Sequence, residues 1–415
     1  MQVEFNTRKK LNAILGQISE LLLSDFPHVS SRTALELLHQ YFTGQVTRFD
    51  RAIQSSDRRL ISQTCITINE RIYHYLPILG FLLRSTNVRN SFEAYYSFLE
   101  MARALIGPKA KVIVSSEWDF SPLTYPLTVT VLPDYVLIGM PSSESSNSLI
   151  LPLAGHELGH SVWQNEQLED RYASEVEGRA RQDLKDKWLA FQAASPQHAN
   201  LRPTDEQFAT NSILVDVLSK IVRLSLSQIE ESFCDAVGVY LFGESYAFAF
   251  HYLLAPSLGG TRSLEYPRLA DRAQNLATYG NLDLKSLGFS DYAGEFQDRQ
   301  PALAAPDAFI SGSADSIAQQ MSEAVYRCAH QIVRSKAAQF APDANSHDDI
   351  LRMFNHGIPA KTPRAMSDIL NAGWAYVTRN RGSFDESERS LTDWISELIL
   401  KSVEVLEYRT RLNHA

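Results

Sequence analysis

The chain has 415 residues, 44% of them hydrophobic and 21% charged, with 39 lysines and arginines against 48 aspartates and glutamates for a formal net charge of −9. At roughly 150 residues per domain this length suggests two or three domains, and the composition excludes a disordered tail, a collagen-like fibre or a coiled-coil rod. The acidic balance argues against a general nucleic-acid binder, which needs a basic footprint against phosphate.

Cys65, Cys234 and Cys328 are far apart and form no C-x-x-C pair, a usage that suits a reducing compartment. The stretch Leu11–Leu23 is interrupted by Gln17, Ser19 and Glu20, so it reads as an amphipathic helix and not as a signal peptide. No run of about 18 uncharged apolar residues occurs, so no membrane span is expected and the cytoplasm is the default location.

Taken in chain order, the spacing of Leu11, Ile14, Leu15, Ile18, Leu21 and Leu22 predicts a first helix. Further helices are expected around Ser31–Phe42, Arg59–Tyr75 and Ser91–Leu105, and Gly107-Pro108 marks a boundary. Short β-branched runs at Lys111–Ser115, Leu127–Leu132 and Tyr135–Met140 predict strands, with Pro133-Asp134 as a turn between the last two. A Ser-rich loop, Ser142–Ser148, precedes an apolar helix over Leu149–Trp163 with Pro152 near its start. A charged helix over Glu166–Phe191, a loop at Pro196–Pro203 and a long helix over Thr210–Leu241 follow. Residues 291–320, with Pro301, Pro306 and Gly312, read as loop-rich, and the remainder as helical with a break at Pro359–Pro363. The fold class expected is α+β and mostly helical, in three regions: a helical 1–105, a core of 106–290 holding a small sheet, and a helical 291–415.

One motif stands above the rest: His156-Glu157-Leu158-Gly159-His160. Residues four apart share a helical face, so the two imidazoles can bind one Zn²⁺ while Glu157 reaches a water beside it. Chance placement at this composition yields roughly 0.02 such patterns, which favours the metal reading over two incidental histidines. The apolar flanks Ile150, Leu151, Leu153, Ala154, Val162 and Trp163 bury the helix, where His and Glu need partners.

A third ligand is expected from Glu230-Glu231-Ser232-Phe233-Cys234-Asp235. Glu231 and Asp235 are four apart on an apolar helix, a costly arrangement without a cation. Glu231 is preferred over Glu230 as the ligand because only Glu231 has an acid at i+4, and Asp235 then accepts a hydrogen bond from a ligand histidine.

With these two motifs the sequence resembles the gluzincin zinc metallopeptidases, in the form of the CAAX prenyl protease and the bacterial heat-shock membrane protease, over about residues 127–276 and without the membrane spans of that family. That family combines His-Glu-x-x-His with a later Glu-x-x-x-Asp and often a His-Pro-Pro-x-x-x-Arg segment. Here Tyr266-Pro267-Arg268-Leu269-Ala270-Asp271-Arg272 keeps Pro267 and Arg272, with Tyr266 in the place of the His and Arg268 in the place of the second Pro. The resemblance implies a zincin-like catalytic core and a strand edge beside the zinc helix, Leu127–Leu132 or Tyr135–Met140, that pairs with extended substrate.

The expected function is a zinc-dependent metallopeptidase with one Zn²⁺ per chain held by His156, His160 and Glu231. Glu157 is its general base and Tyr266 the first choice of oxyanion donor, with Arg272 and His251 as further cleft residues. The expected partner is a peptide or protein substrate, with no nucleic acid and no membrane, and the helical terminal regions offer surface for a partner protein. Two other readings use the same residues: a zinc hydrolase of a non-peptide amide, and an interaction protein with a structural zinc site. The intact Glu157 argues against the second, because a structural site needs ligands but no base.

Overall fold

In the computed structural model, which describes residues 2–86, 92–117, 131–132, 134–198, 200–256, 261–382 and 389–414, the first element is α1, Gln2–Leu21. Its apolar stripe Leu11, Ile14 and Ile18 is buried against α2 (Val29–Ser55) and α3 (Arg58–Arg84). Asp57 caps α3 by accepting from the Arg59 and Leu60 amides, which satisfies two of the free donors at its start. After α4 (Tyr95–Ile106) come two strands, β1 (Lys111–Glu117) and β2 (Tyr135–Pro141). They pair in parallel, with Lys111 opposite Tyr135 and Val114 opposite Ile138. Ile113 and Leu137 join the helical core made by Leu35, Phe42, Ile68 and Phe81.

Two of the expected strands are therefore present, paired with each other in parallel and not through the turn at Pro133-Asp134. Parallel neighbours need a connection of about a dozen residues or more, and residues 118–134 separate β1 from β2 in the sequence. Of the expected strand Leu127–Leu132, residues 127–130 lie outside the described residues, as does Pro133, and Val131 and Leu132 belong to no strand.

The remaining helices are α5 (Ala154–Asn165), entered through a 3₁₀ stretch Ser148–Leu153, then α6 (Leu168–Asp186), α7 (Trp188–Ala194) and α8 (Asp205–Thr210). Next come α9 (Ser212–Phe242), α10 (Glu244–Leu254), α11 (Leu269–Tyr279) and α12 (Ala305–Lys336). The last three are α13 (Ala344–Asn355), α14 (Met366–Asn380) and α15 (Leu391–His414). The central element is α9, which is buried along most of its length and packs against α5, α6 and α12. Asn211 caps it by accepting from the Ile213 and Leu214 amides, and Gly243 ends it at φ 61°.

The expectation of a loop-rich 291–320 is corrected from residue 305 onward, where α12 begins. Pro306 sits in the first turn, where a missing amide costs nothing, and the neighbouring alanines favour helix, so the prolines mark a helix start.

Residues 1–103 and 107–146 form one compact unit, and residues 104–106 and 147–415 a second. The main division falls at 146/147, whereas the sequence suggested boundaries near 105 and 290. Ile113 and Leu137 of the strands share the apolar core of α1–α3, and α12 lies along α9. No described helix is long and apolar enough to cross a membrane.

Candidate metal centre

All the residues singled out for chemistry lie in the second unit, on α5, α9, α10, α11 and the segment before α11. The crossing of α5 on α9 is built from small residues. A Cβ on Gly155 would lie 2.9 Å from the Gly238 Cα, and one on Gly159 would lie 2.6 Å from the Cys234 Cα. The two glycines, four apart, therefore let the α5 and α9 backbones approach closely at the level of the two motifs. Gly238 also makes room for Tyr246 of α10, because its Cβ would lie 2.2 Å from that ring.

Across this crossing the histidines meet the acids of α9. His156 Nε2 lies 3.2 Å from Glu231 Oε2, and His160 Nε2 lies 3.6 Å from Glu231 Oε1, so one carboxylate faces both imidazoles with an oxygen each. The opposite ring nitrogens are also engaged: His156 Nδ1 is 2.9 Å from Asp235 Oδ1, and His160 Nδ1 is 2.9 Å from Glu230 Oε1. A carboxylate behind each Nδ1 fixes the ring's orientation and directs Nε2 inward, as metal-binding histidines require.

Asp235 is fully buried and serves more than His156. Arg272 donates to it twice, Nε to Oδ2 and Nη2 to Oδ1, both at 2.7 Å, and the Tyr246 hydroxyl donates to Oδ1 at 2.8 Å. Arg272 is 6% exposed, and its Nη2 lies 4.0 Å from Glu231 Oε2. Its guanidinium carbon lies 5.2 Å from the Phe250 ring centre and 5.9 Å from that of Tyr266. The structure thus places Arg272 behind the site, holding Asp235.

The charges respond accordingly. Burial alone would lower the His156 imidazole, but its hydrogen bond to Asp235 and the adjacent Glu231 carboxylate prevail and raise it to about 10. His160 is raised against the same burial by Glu230 and the charge of Glu231. Burial opposes ionisation of Asp235 and Glu231, yet Arg272 for the first and His156 for the second hold both carboxyls below their usual range. Burial and the surrounding carboxylates push the Cys234 thiol well up. Tyr266 is raised by the charge of Glu231 first and by burial second, which puts the phenol within reach of that carboxylate's field.

Among the described residues, one group of side chains comes together with metal-ligand spacing: His156, His160 and Cys234, whose ligand atoms lie within 4.8 Å of one another. Glu231 stands between the two Nε2 atoms of the same pair. Its Oε2 is buried without a well-directed hydrogen bond, as an oxygen kept for a cation would be. Glu157, Glu230, Glu231 and Asp235 set four carboxylates against the single guanidinium of Arg272. That leaves three negative charges, of which two imidazolium protons or one divalent cation offset two. The donor set of imidazole, carboxylate and thiol suits Zn²⁺.

His156, Glu157, His160, Glu231 and Asp235 are brought together as the spacing implied, and Glu157 is 2% exposed with its charge bearing on His160, Cys234 and Tyr266. His251 is placed elsewhere: its Nε2 meets Glu295 at 2.7 Å, and its ring packs against Phe289, Tyr292 and Phe296. The strand Tyr135–Met140 belongs to the first unit and the histidine motif to the second. Sequence reasoning missed Glu230 as the partner of His160. A signal was present, since a second ligand histidine needs its own acceptor and Glu230 adjoins Glu231 on the same helix. No protein-family model, curated protein or solved structure matches this chain.

Proposed function

We propose that the second unit is a zinc-dependent metallopeptidase of the gluzincin kind, acting on peptide or protein substrates. The observation that carries this reading is the convergence of both Nε2 atoms on Glu231 while Asp235 and Glu230 back both Nδ1 atoms. His156, His160 and Glu231 are the residues that would hold the ion. Glu231 is preferred to Cys234 as the third because its two oxygens already face the two Nε2 atoms, while the thiol is held in its protonated form. When bound there, Zn²⁺ supplies a Lewis acid that acidifies water and polarises a carbonyl.

The chain's own residues account for the rest. Glu157 takes a proton from the attacking water and later passes it to the leaving amine, a role worth on the order of 10²–10⁴-fold. Tyr266 donates its phenolic proton in a hydrogen bond to the oxygen that gains negative charge as the carbonyl becomes tetrahedral. Arg272 and Tyr246 hold Asp235, which holds His156.

Glu157→Gln tests this reading, because it keeps the side chain's size and removes the base. The variant is expected to hold zinc and melt with the parent while cleavage of an unstructured casein falls by about 10²-fold or more. Equal cleavage by both proteins would remove Glu157 from the chemistry, and cleavage of small amides but of no peptide would move the activity to another substrate class.

A further inference from the structure

Tyr266 is 42% exposed, yet the segment that carries it is anchored by a buried arginine and a largely buried aspartate. The side chain of Arg262 is 2% exposed. It donates Nη1 to Asp315 Oδ2 at 3.1 Å, Nη2 to Oδ1 of the same carboxylate, and Nε to the Tyr266 carbonyl at 2.9 Å. On the other side of Tyr266, Arg268 Nε reaches Asp315 Oδ2 at 3.2 Å. Gln228 Nε2 donates to the Leu264 carbonyl at 2.9 Å and to Asp315 Oδ1 at 2.8 Å.

The placement of these groups is specific. Gln228 stands on α9 three residues before Glu231, and Asp315 stands on α12, which packs along α9. The helix that supplies Glu231 therefore also ties down the loop that carries Tyr266. A buried ion pair is a costly way to hold a loop, since apolar side chains would stabilise it as well; its use is to fix one arrangement. The arrangement fixed here sets the Tyr266 ring beside Arg272, whose Nη2 lies 4.0 Å from Glu231. We infer that Asp315, with Arg262 and Gln228, forms a latch of positioning residues that hold Tyr266 over the metal centre. The inference rests on the reading of Tyr266 as the oxyanion donor.

The test compares Asp315→Asn, Tyr266→Phe and the double variant, all zinc-loaded. In Asp315→Asn, amide hydrogen exchange over 262–268 is expected to quicken roughly tenfold or more, while exchange over 156–160 and zinc content stay at parental values. Tyr266→Phe is expected to lower kcat on the order of 10²-fold, as loss of an oxyanion donor does. Asp315→Asn should lower kcat by part of that factor, and the double variant should be no slower than Tyr266→Phe alone, because the latch acts only through Tyr266. Multiplying losses, or unchanged exchange over 262–268, would overturn the latch. If Asp315→Asn does not fold, Gln228→Met cuts the Leu264 tie more gently and is read by the same exchange comparison. A parent that cleaves no peptide overturns the proposed activity, while the exchange comparison still decides whether the latch exists.

Discussion

Replacing Asp235 by alanine should damage stability and metal binding together, for reasons that can be separated. The carboxylate is fully buried and accepts from Arg272 twice, from Tyr246 and from His156. Truncation leaves the buried Arg272 charge without its partner, a loss of ~3–5 kcal/mol for a broken buried pair. The orphaned Tyr246 hydroxyl adds ~1–3 kcal/mol, not fully additive with the first. At about 2–4 °C per kcal/mol for a unit of this size, the Arg272 contribution alone lowers Tm by roughly 6–20 °C. The assay is calorimetry on metal-free protein, so that loss of a bound ion does not enter the comparison. Asp235→Ala combined with Arg272→Met removes the orphaned charge and should recover much of the lost Tm. If Asp235→Ala melts within about 2 °C of the parent, or if the double variant melts no higher than the single one, the hub does not carry the energy assigned to it.

Glu230→Ala should act differently, because among the described residues the partner of Glu230 is His160 Nδ1 alone, and its side chain is 26% exposed. Loss of this acceptor should weaken zinc affinity by about 10- to 100-fold with a small change in Tm, as read by competition with a chromogenic chelator; parental affinity would show that His160 needs no acceptor. In the first unit, His28 stacks on Tyr95 with ring centres 3.5 Å apart, and burial lowers its imidazole to about 4. The unfolded chain takes up this proton near pH 6.5 and the folded chain does not, so stability falls as pH drops from about 6.5 to 4. Hydrogen exchange of the first unit across that window should show the decline in the parent and a shallower one in His28→Phe; equal slopes would contradict the assignment.

The parts of the site legible in the sequence were those set by helical spacing. His156 and His160, and Glu231 and Asp235, are each four apart, and both pairs share a face as the period requires. Contacts that depend on how α5 and α9 cross were not legible. The pairing of Glu230 with His160 follows from the rotation of α9 against α5, which the fit of Gly159 against Cys234 and Gly155 against Gly238 helps to set. Tyr246 reaches Asp235 from a separate helix because Gly238 leaves space for it, a relation that periodicity does not encode. The start of α12 was misread because proline and glycine were weighed as breakers, when Pro306 occupies the first turn and Gly312 is one tolerated residue in a long helix. The strands were recognised from β-branched runs, but parallel pairing is a property of the crossover and not of either strand.

The central claim is that His156, His160 and Glu231 hold one zinc ion, and metal stoichiometry tests it most directly. Elemental analysis of protein purified without chelator should find about one Zn²⁺ per chain in the parent and in Cys234→Ser, and little in Glu231→Ala. No bound transition metal in the parent would contradict the account, and zinc lost from Cys234→Ser but kept by Glu231→Ala would transfer the third ligand to the thiol.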